Sequence, residues 1–202
     1  MAMHLARGGD VFVIAVTDGE ASHAASPLWD AQSLAATRCA ESIKGLRLLG
    51  LGDVTVHRLG MPDGQVAQNT LDLSLQLQRV LHPADVVITT WRKDGHPDHD
   101  ATGLAASLAC SSVGCRLLEA PVWMWHWAAP ADTLVPWERL QRLQLTPQAR
   151  VRKQAALFAH ASQLDQSPRS GGAVLGASIV QRAHRADEYF FVAEELSHAV
   201  LS

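Results

Sequence analysis

Cysteine is scarce in this chain. Cys39, Cys110 and Cys115 are the only three in 202 residues, an odd number with no C-x-x-C spacing, which argues against a disulfide framework and against a cysteine-ligated zinc site. A surplus of basic residues is missing as well. Seventeen Lys and Arg face twenty Asp and Glu for a net charge of -3, so the electrostatic footprint of phosphate-backbone binding is absent and nucleic acid is not an expected partner. No run reaches about 18 uninterrupted apolar residues, the length a spanning helix needs. The N-terminal MAMHLARGGD has no basic region leading into an apolar stretch, so no segment is expected to enter or cross a membrane. The cytoplasm is the expected location. No internal repeat is visible, and no G-x-G-x-x-G follows any expected strand, which counts against a generic dinucleotide-binding domain.

What is present is a chain of 202 residues with 48% hydrophobic side chains, enough to bury one core, and a single domain over 1–202 is expected. Short β-branched runs read as strands: VFVIAV (11–16), VTVHRL (54–59), VVITTW (86–91) and LLEAPVWMW (117–125). Helical spacing fills the gaps at 28–49, 69–81 and 97–109. Further on, a short helical piece is expected near 137–143, helices near 148–163 and 174–184, and a last strand or docked segment in EYFFVAEEL. Strand runs that are continuously apolar, rather than alternating, mark burial on both faces of a mostly parallel sheet. The expected fold class is therefore α/β, a Rossmann-like three-layer sandwich. Its first strand is expected to be missing, because the opening MAMHLARG reads as the last turns of a helix stopped by Gly8-Gly9. SPRSGGAVLG (167–176) is flexible by composition.

Ligands of open α/β sheets bind beyond the carboxyl ends of the strands, so residues there are the first candidates for chemistry. W-R-K-D-G-H-P-D-H-D (91–100) occupies such a place. Asp94 is suited to cap the following helix, Pro97 to its first turn, and the spacing of three sets His96 and His99 near one face. A helix N-terminus disfavours a protonated imidazole, which biases His99 towards the neutral, metal-binding form. TDGEAS (17–22) and LGMPDG (59–64) each place an acid at a glycine turn after a strand, a pattern that simple turn chemistry also produces. Arg38 and Glu41 are three apart on the first long helix, where an exposed ion pair is the plainest account. PVWMWHW (121–127) reads mainly as core packing, with His126 within reach of a pocket. His4, His57, His82, His160, His184 and His198 stand alone and are read as structural or surface residues.

In succession, TDGEAS, R-x-x-E on a helix, LG-x-PDG, W-x-x-DGHPDH and PVWMWHW resemble the LmbE-like or PIG-L family of zinc-dependent de-N-acetylases, over nearly the whole chain. Members are Rossmann-like hydrolases that remove acyl groups, usually acetyl, from amino sugars and related amides. The resemblance implies His99 as a metal ligand. It makes His96 the group that stabilises the tetrahedral intermediate and protonates the leaving amine, with Asp98 holding His96 in place. It places Arg38 and Asp63 at substrate-contacting positions; Asp18, in the turn after the first visible strand, is a further substrate-binding candidate. A small N-acyl amino sugar or glycoconjugate is the implied substrate and zinc the implied cofactor, with iron or another divalent ion also compatible with the visible ligands.

The chain departs from the family at one point. The family's remaining ligands and its base come from an H-P-D-D-E stretch after a first strand, and no such stretch occurs here. One expectation is a deacetylase whose sequence starts too late and which is inactive as given; the other is a catalytically dead member that still binds a sugar or a partner. Retention of His96, Asp98 and His99 favours the first.

Overall fold

The computed structural model describes residues 10–23, 26–167, 170 and 172–192. The helix expected in MAMHLARG lies outside these residues, as does part of 167–176. Backbone contacts divide the chain into two compact units, Met1–Asp63 with Gln144–Glu188, and Gly64–Leu143 with Tyr189–Ser202.

The first unit is built on a βαβ crossover. Strand β1 (Val13–Ala15) runs parallel to β2 (Val56–Arg58), with Ile14 opposite His57. Both are shorter than the apolar runs that announce them. The ladder nonetheless continues past β2, as Leu59 N–H donates to Ala15 and Met61 N–H to Val16, and this brings the 59–64 turn alongside 17–21. The connecting helix α1 (Ala31–Leu49) starts where the Asp30 carboxylate accepts from the Ser33 amide at 2.8 Å and stops at Gly50, whose φ of 92° favours glycine.

The second unit has a 3-10 turn (Val66–Asn69) running into α2 (Thr70–Gln78), then β3 (Val86–Thr90), α3 (Pro97–Val113) and β4 (Arg116–Ala120). β3 and β4 pair in parallel from Val86 opposite Arg116 to Thr90 opposite Ala120. α3 turns a face of small residues inward, including Ala101, Gly103, Ala105, Ala106 and Ala109, and this lets it pack closely on α2 and β3. After β4 the chain departs from the strand expected over 117–125: Met124–Trp127 is a single helical turn, α4. Pro121 removes a ladder donor, and the amides of 122–124 are drawn to a buried carboxylate described below. The core gathers Trp91, Met124, Val135 and Phe191, with the Trp91 and Phe191 rings 4.4 Å apart.

β5 (Leu140–Gln144) occupies the stretch expected to be helical, preceded by only a short 3-10 turn. In the first unit α5 (Pro147–Phe158), capped by Thr146, packs on α1; α6 (Ala161–Leu164) and α7 (Ala177–Ala183) follow. The segment expected as one helix over 148–163 is thus broken at His160. β6 (Asp187–Val192) is the last strand among the described residues, and the four-stranded sheet has the order β3-β4-β6-β5. β6 runs antiparallel to β4. The fold class is the expected α/β, with a parallel two-stranded sheet and a four-stranded one that is mixed because of β6. No helix among the described residues is long and apolar enough to cross a membrane.

Candidate active site

The histidine pair sits where α3 leaves the end of β3. Trp91 enters the core, and Arg92 turns back onto Glu119 of β4, its Nε and Nη2 each 2.8 Å from a carboxylate oxygen. Gly95 follows at φ 88°; a Cβ there would lie 2.7 Å from Nε1 of Trp127, which donates to the Asp94 carbonyl at 2.7 Å. Only glycine suits both the backbone and the indole lying over it. His96 is the N-cap residue of α3, with Pro97 in the first turn. The helix therefore holds the two imidazoles beside each other, ring centroids 4.6 Å apart and planes tilted by 34°. Trp123 meets His96 edge-on at 5.4 Å and lies tilted against His126 at 4.2 Å. His96 Nδ1 is buried and finds no hydrogen-bond partner among the described residues.

Asp94 does not cap the helix, as its place in the sequence led us to expect. The loop amide is instead taken by Asp100, which accepts from Gly95 N–H at 3.0 Å. Asp94 is fully buried. One carboxylate oxygen accepts from the amides of Val122 and Met124 at 2.9 and 2.8 Å; the other accepts from the Trp123 amide at 2.7 Å and lies 2.6 Å from His99 Nδ1. Burial pushes the carboxyl's pKa up, but the hydrogen bonds from His99, Met124, Trp123 and Val122 outweigh it and hold the group below the ordinary carboxylate range. With Nδ1 engaged, Nε2 is the ring nitrogen His99 has left for a ligand. Asp98, also buried, turns to the chain after Asp63: its oxygens accept from Gly64 N–H at 2.6 Å and Val66 N–H at 3.1 Å. It ties that turn to the first turn of α3.

In the first unit, Asp63 and the 17–21 turn clasp each other. Asp63 accepts from Ala21 N–H at 2.9 Å and from the Thr17 hydroxyl at 3.3 Å, while its own N–H donates to Glu20 at 2.9 Å. Arg38 lies against this turn, so close that a Cβ on Gly19 would fall 2.3 Å from its Nη1. Its Nε and Nη2 are buried and without hydrogen-bond partners among the described residues. Burial lowers its pKa, opposed by the charges of Asp63, Glu41 and Glu20. Asp18 is engaged elsewhere, in an ion pair with Arg58.

Glu41 is not the exposed partner of Arg38 that the three-residue spacing favours. It is buried and accepts from both the amide and the hydroxyl of Ser162, each at 2.7 Å, which pins the start of α6 to α1. Beside it His160 packs over Gly45, and His23 is buried with its Nδ1 3.0 Å from the Ser22 hydroxyl. Burial lowers the pKa of both imidazoles from 6.5. A histidine whose folded pKa is depressed stabilises the fold fully above its unfolded value and loses that contribution as pH falls through the folded one. The urea midpoint is therefore expected to drop between about pH 7.5 and about pH 5.5, and His160→Gln should flatten the drop. A midpoint independent of pH over that window would contradict it.

Residues 1–110 match the family model for PIG-L, GlcNAc-PI de-N-acetylase. The chain belongs to the PIG-L family. Among curated proteins none matches the chain. Its fold is shared with solved structures. The A40926 pseudoaglycone deacetylase is 23% identical, with a TM-score of 0.64 over 95% of this chain and 88% of that one. The conserved protein TT1542 of Thermus thermophilus is 20% identical, with a TM-score of 0.64 over 100% and 89%. The N,N'-diacetylchitobiose deacetylase of Pyrococcus horikoshii is 16% identical, with a TM-score of 0.56 over 96% and 77%.

A PIG-L chain invites the question of a metal. His99, its Nδ1 braced by a buried carboxylate, has the build of a metal-ligating histidine. Among the described residues, however, no three His, Cys, Asp or Glu side chains are grouped to hold an ion, where a catalytic zinc takes three protein ligands. These residues supply one suited donor and do not fit a complete zinc site.

Proposed function

We propose that the chain is of the de-N-acetylase type, removing an acetyl or other acyl group from a small N-acylated amino sugar or glycoconjugate. The observation that carries the reading is the pairing of His96 with a carboxylate-braced His99 on the first turn of α3, in a chain that matches the PIG-L family over residues 1–110. The names of two structural neighbours, deacetylases of a pseudoaglycone and of diacetylchitobiose, support the substrate class. Amide hydrolysis needs an activated water, a base, a stabilised oxyanion and a proton for the leaving amine. In this reading His96 stabilises the oxyanion and hands its proton to the amine nitrogen. Asp98 positions His96 indirectly, by fixing the turn of α3 that carries it. The unpartnered N–H groups of Arg38 receive polar substrate groups, and Asp63 and Asp18 shape the loop beside it. His99 Nε2 would be one donor to a zinc ion, and such an ion would supply Lewis-acid activation of water. The whole chain is read as one such domain, and its free thiols fit a reducing, cytoplasmic setting.

The chain as given is proposed to be inactive, because the family's H-P-D-D-E donors and base do not occur in it. The incomplete donor set also favours a second reading, a non-catalytic member that binds a sugar or a partner. Function is tested in the chain supplied with a preceding strand and an H-P-D-D-E stretch. His99→Ala should strip the metal, whereas His96→Ala should keep it and lower single-turnover deacetylation by about 10² to 10⁴-fold. Metal lost equally from both variants would overturn the division of roles.

A further inference from the structure

Asp94 has four hydrogen-bond partners on one carboxylate, two to each oxygen. Three of them are backbone N–H groups, of Val122, Trp123 and Met124, and can only donate. The fourth, His99 Nδ1, lies 2.6 Å from Oδ2, and a neutral imidazole either donates or accepts there according to its tautomer. A carboxylate held in its charged form by three fixed amides has no proton to give. We propose that Asp94 is a positioning residue that locks His99 in the Nδ1–H tautomer, so that the lone pair of the neutral ring is carried by Nε2. The same carboxylate gathers the amides that start α4, so the orientation of His99 and the placement of Trp123 beside His96 depend on one buried side chain. The consequence for catalysis rests on the deacetylase reading; the tautomer itself does not.

The chemistry of asparagine gives the test its sign. An asparagine at this position has one acceptor oxygen and one NH2 group. The oxygen serves the Val122 and Met124 amides, where neither donor can adapt, and the NH2 is left facing the Trp123 amide and His99. Of these two only His99 can change role, by moving its proton to Nε2 and accepting at Nδ1. Asp94→Asn should therefore invert the tautomer, turning the lone pair away from where a metal or substrate would meet it.

The experiment is long-range 1H–15N correlation of the His99 ring in the full 202-residue chain without added metal, at a pH where the imidazole is neutral. The wild type is expected to show the Nδ1–H pattern and Asp94→Asn the Nε2–H pattern. The wild-type spectrum tests the proposal even if the variant fails to fold: an Nε2–H pattern, or the averaged shifts of a ring exchanging between tautomers, would overturn it. So would a folded Asp94→Asn protein in which His99 keeps the Nδ1–H pattern. Acetate release plays no part in this readout, so a failure of the deacetylase reading leaves the result intact and is told apart from a failure of this one.

Discussion

Gly103→Val is expected to unfold the unit that carries the histidine pair, and Gly103→Ala to lower its stability by about 1–3 kcal/mol, the usual cost of overpacking. A Cβ at this position of α3 would fall 2.5 Å from the Thr90 carbonyl oxygen, 2.7 Å from the Arg92 nitrogen and 2.9 Å from the Arg92 Cα. All three are backbone atoms, and none swings aside as the end of a long side chain would. Relief requires α3 to lift off the end of β3. The helix carries His99 one turn earlier, where Thr90 Oγ1 donates to the His99 carbonyl at 2.8 Å, so the same displacement loosens the His99 contact with Asp94. Gly114→Ala is the control: its φ is 85°, but nothing lies within 4 Å of the added methyl, so it bears only the left-handed strain of about 1–2 kcal/mol. Urea unfolding of the three variants beside the wild type decides the point. A Gly103→Ala protein as stable as the wild type would show that α3 does not sit this close to the strand.

The second large effect concerns metal. Given one equivalent of zinc and passed through a desalting column, the 202-residue chain is expected to keep far less than a stoichiometric amount and to release no acetate from an N-acetyl amino sugar. A zinc ion stripped of water needs about three protein donors to hold it in a catalytic site, and the described residues group no three of the right kind. Nor are the candidate carboxylates free to serve as the base. Asp94 is committed to four donors, Asp98 to two amides, Asp18 to Arg58 and Asp63 to Ala21 and Thr17. The loss of general-base assistance alone is worth about 10² to 10⁴-fold. Retention of a full equivalent with clear turnover would mean that other side chains of the chain complete the set.

Local signals were legible in the sequence; long-range ones were not. Pro97 and the flanking acids mark the start of α3, and the three-residue spacing of His96 and His99 places their rings together. The α/β alternation carries the fold class. Asp94 carries a misleading local signal, because a short acidic residue ahead of Pro97 is what a helix cap looks like, and nothing local announces amides arriving from 122–124. The same amides account for the misreading of 117–125, where an apolar run with β-branched and aromatic residues ends in a turn of helix. Glu41 carries the signature of a surface pair with Arg38, yet its partner Ser162 lies 121 residues away. The antiparallel direction of β6 leaves no trace in its apolar pattern, since hydrophobicity records burial and not polarity of the strand. Glu20, by contrast, had a signal: it stands in the same acidic turn as Asp18, and it is the one that reaches the Asp63 amide.

The most direct test of the account is acetate release, followed by proton NMR, from an N-acetyl amino sugar incubated with zinc and the chain supplied with a preceding strand and an H-P-D-D-E stretch. The account predicts an acetate signal that grows with time and vanishes in His99→Ala. No acetate from a folded, zinc-loaded protein of this form, or equal release from His99→Ala, would contradict it.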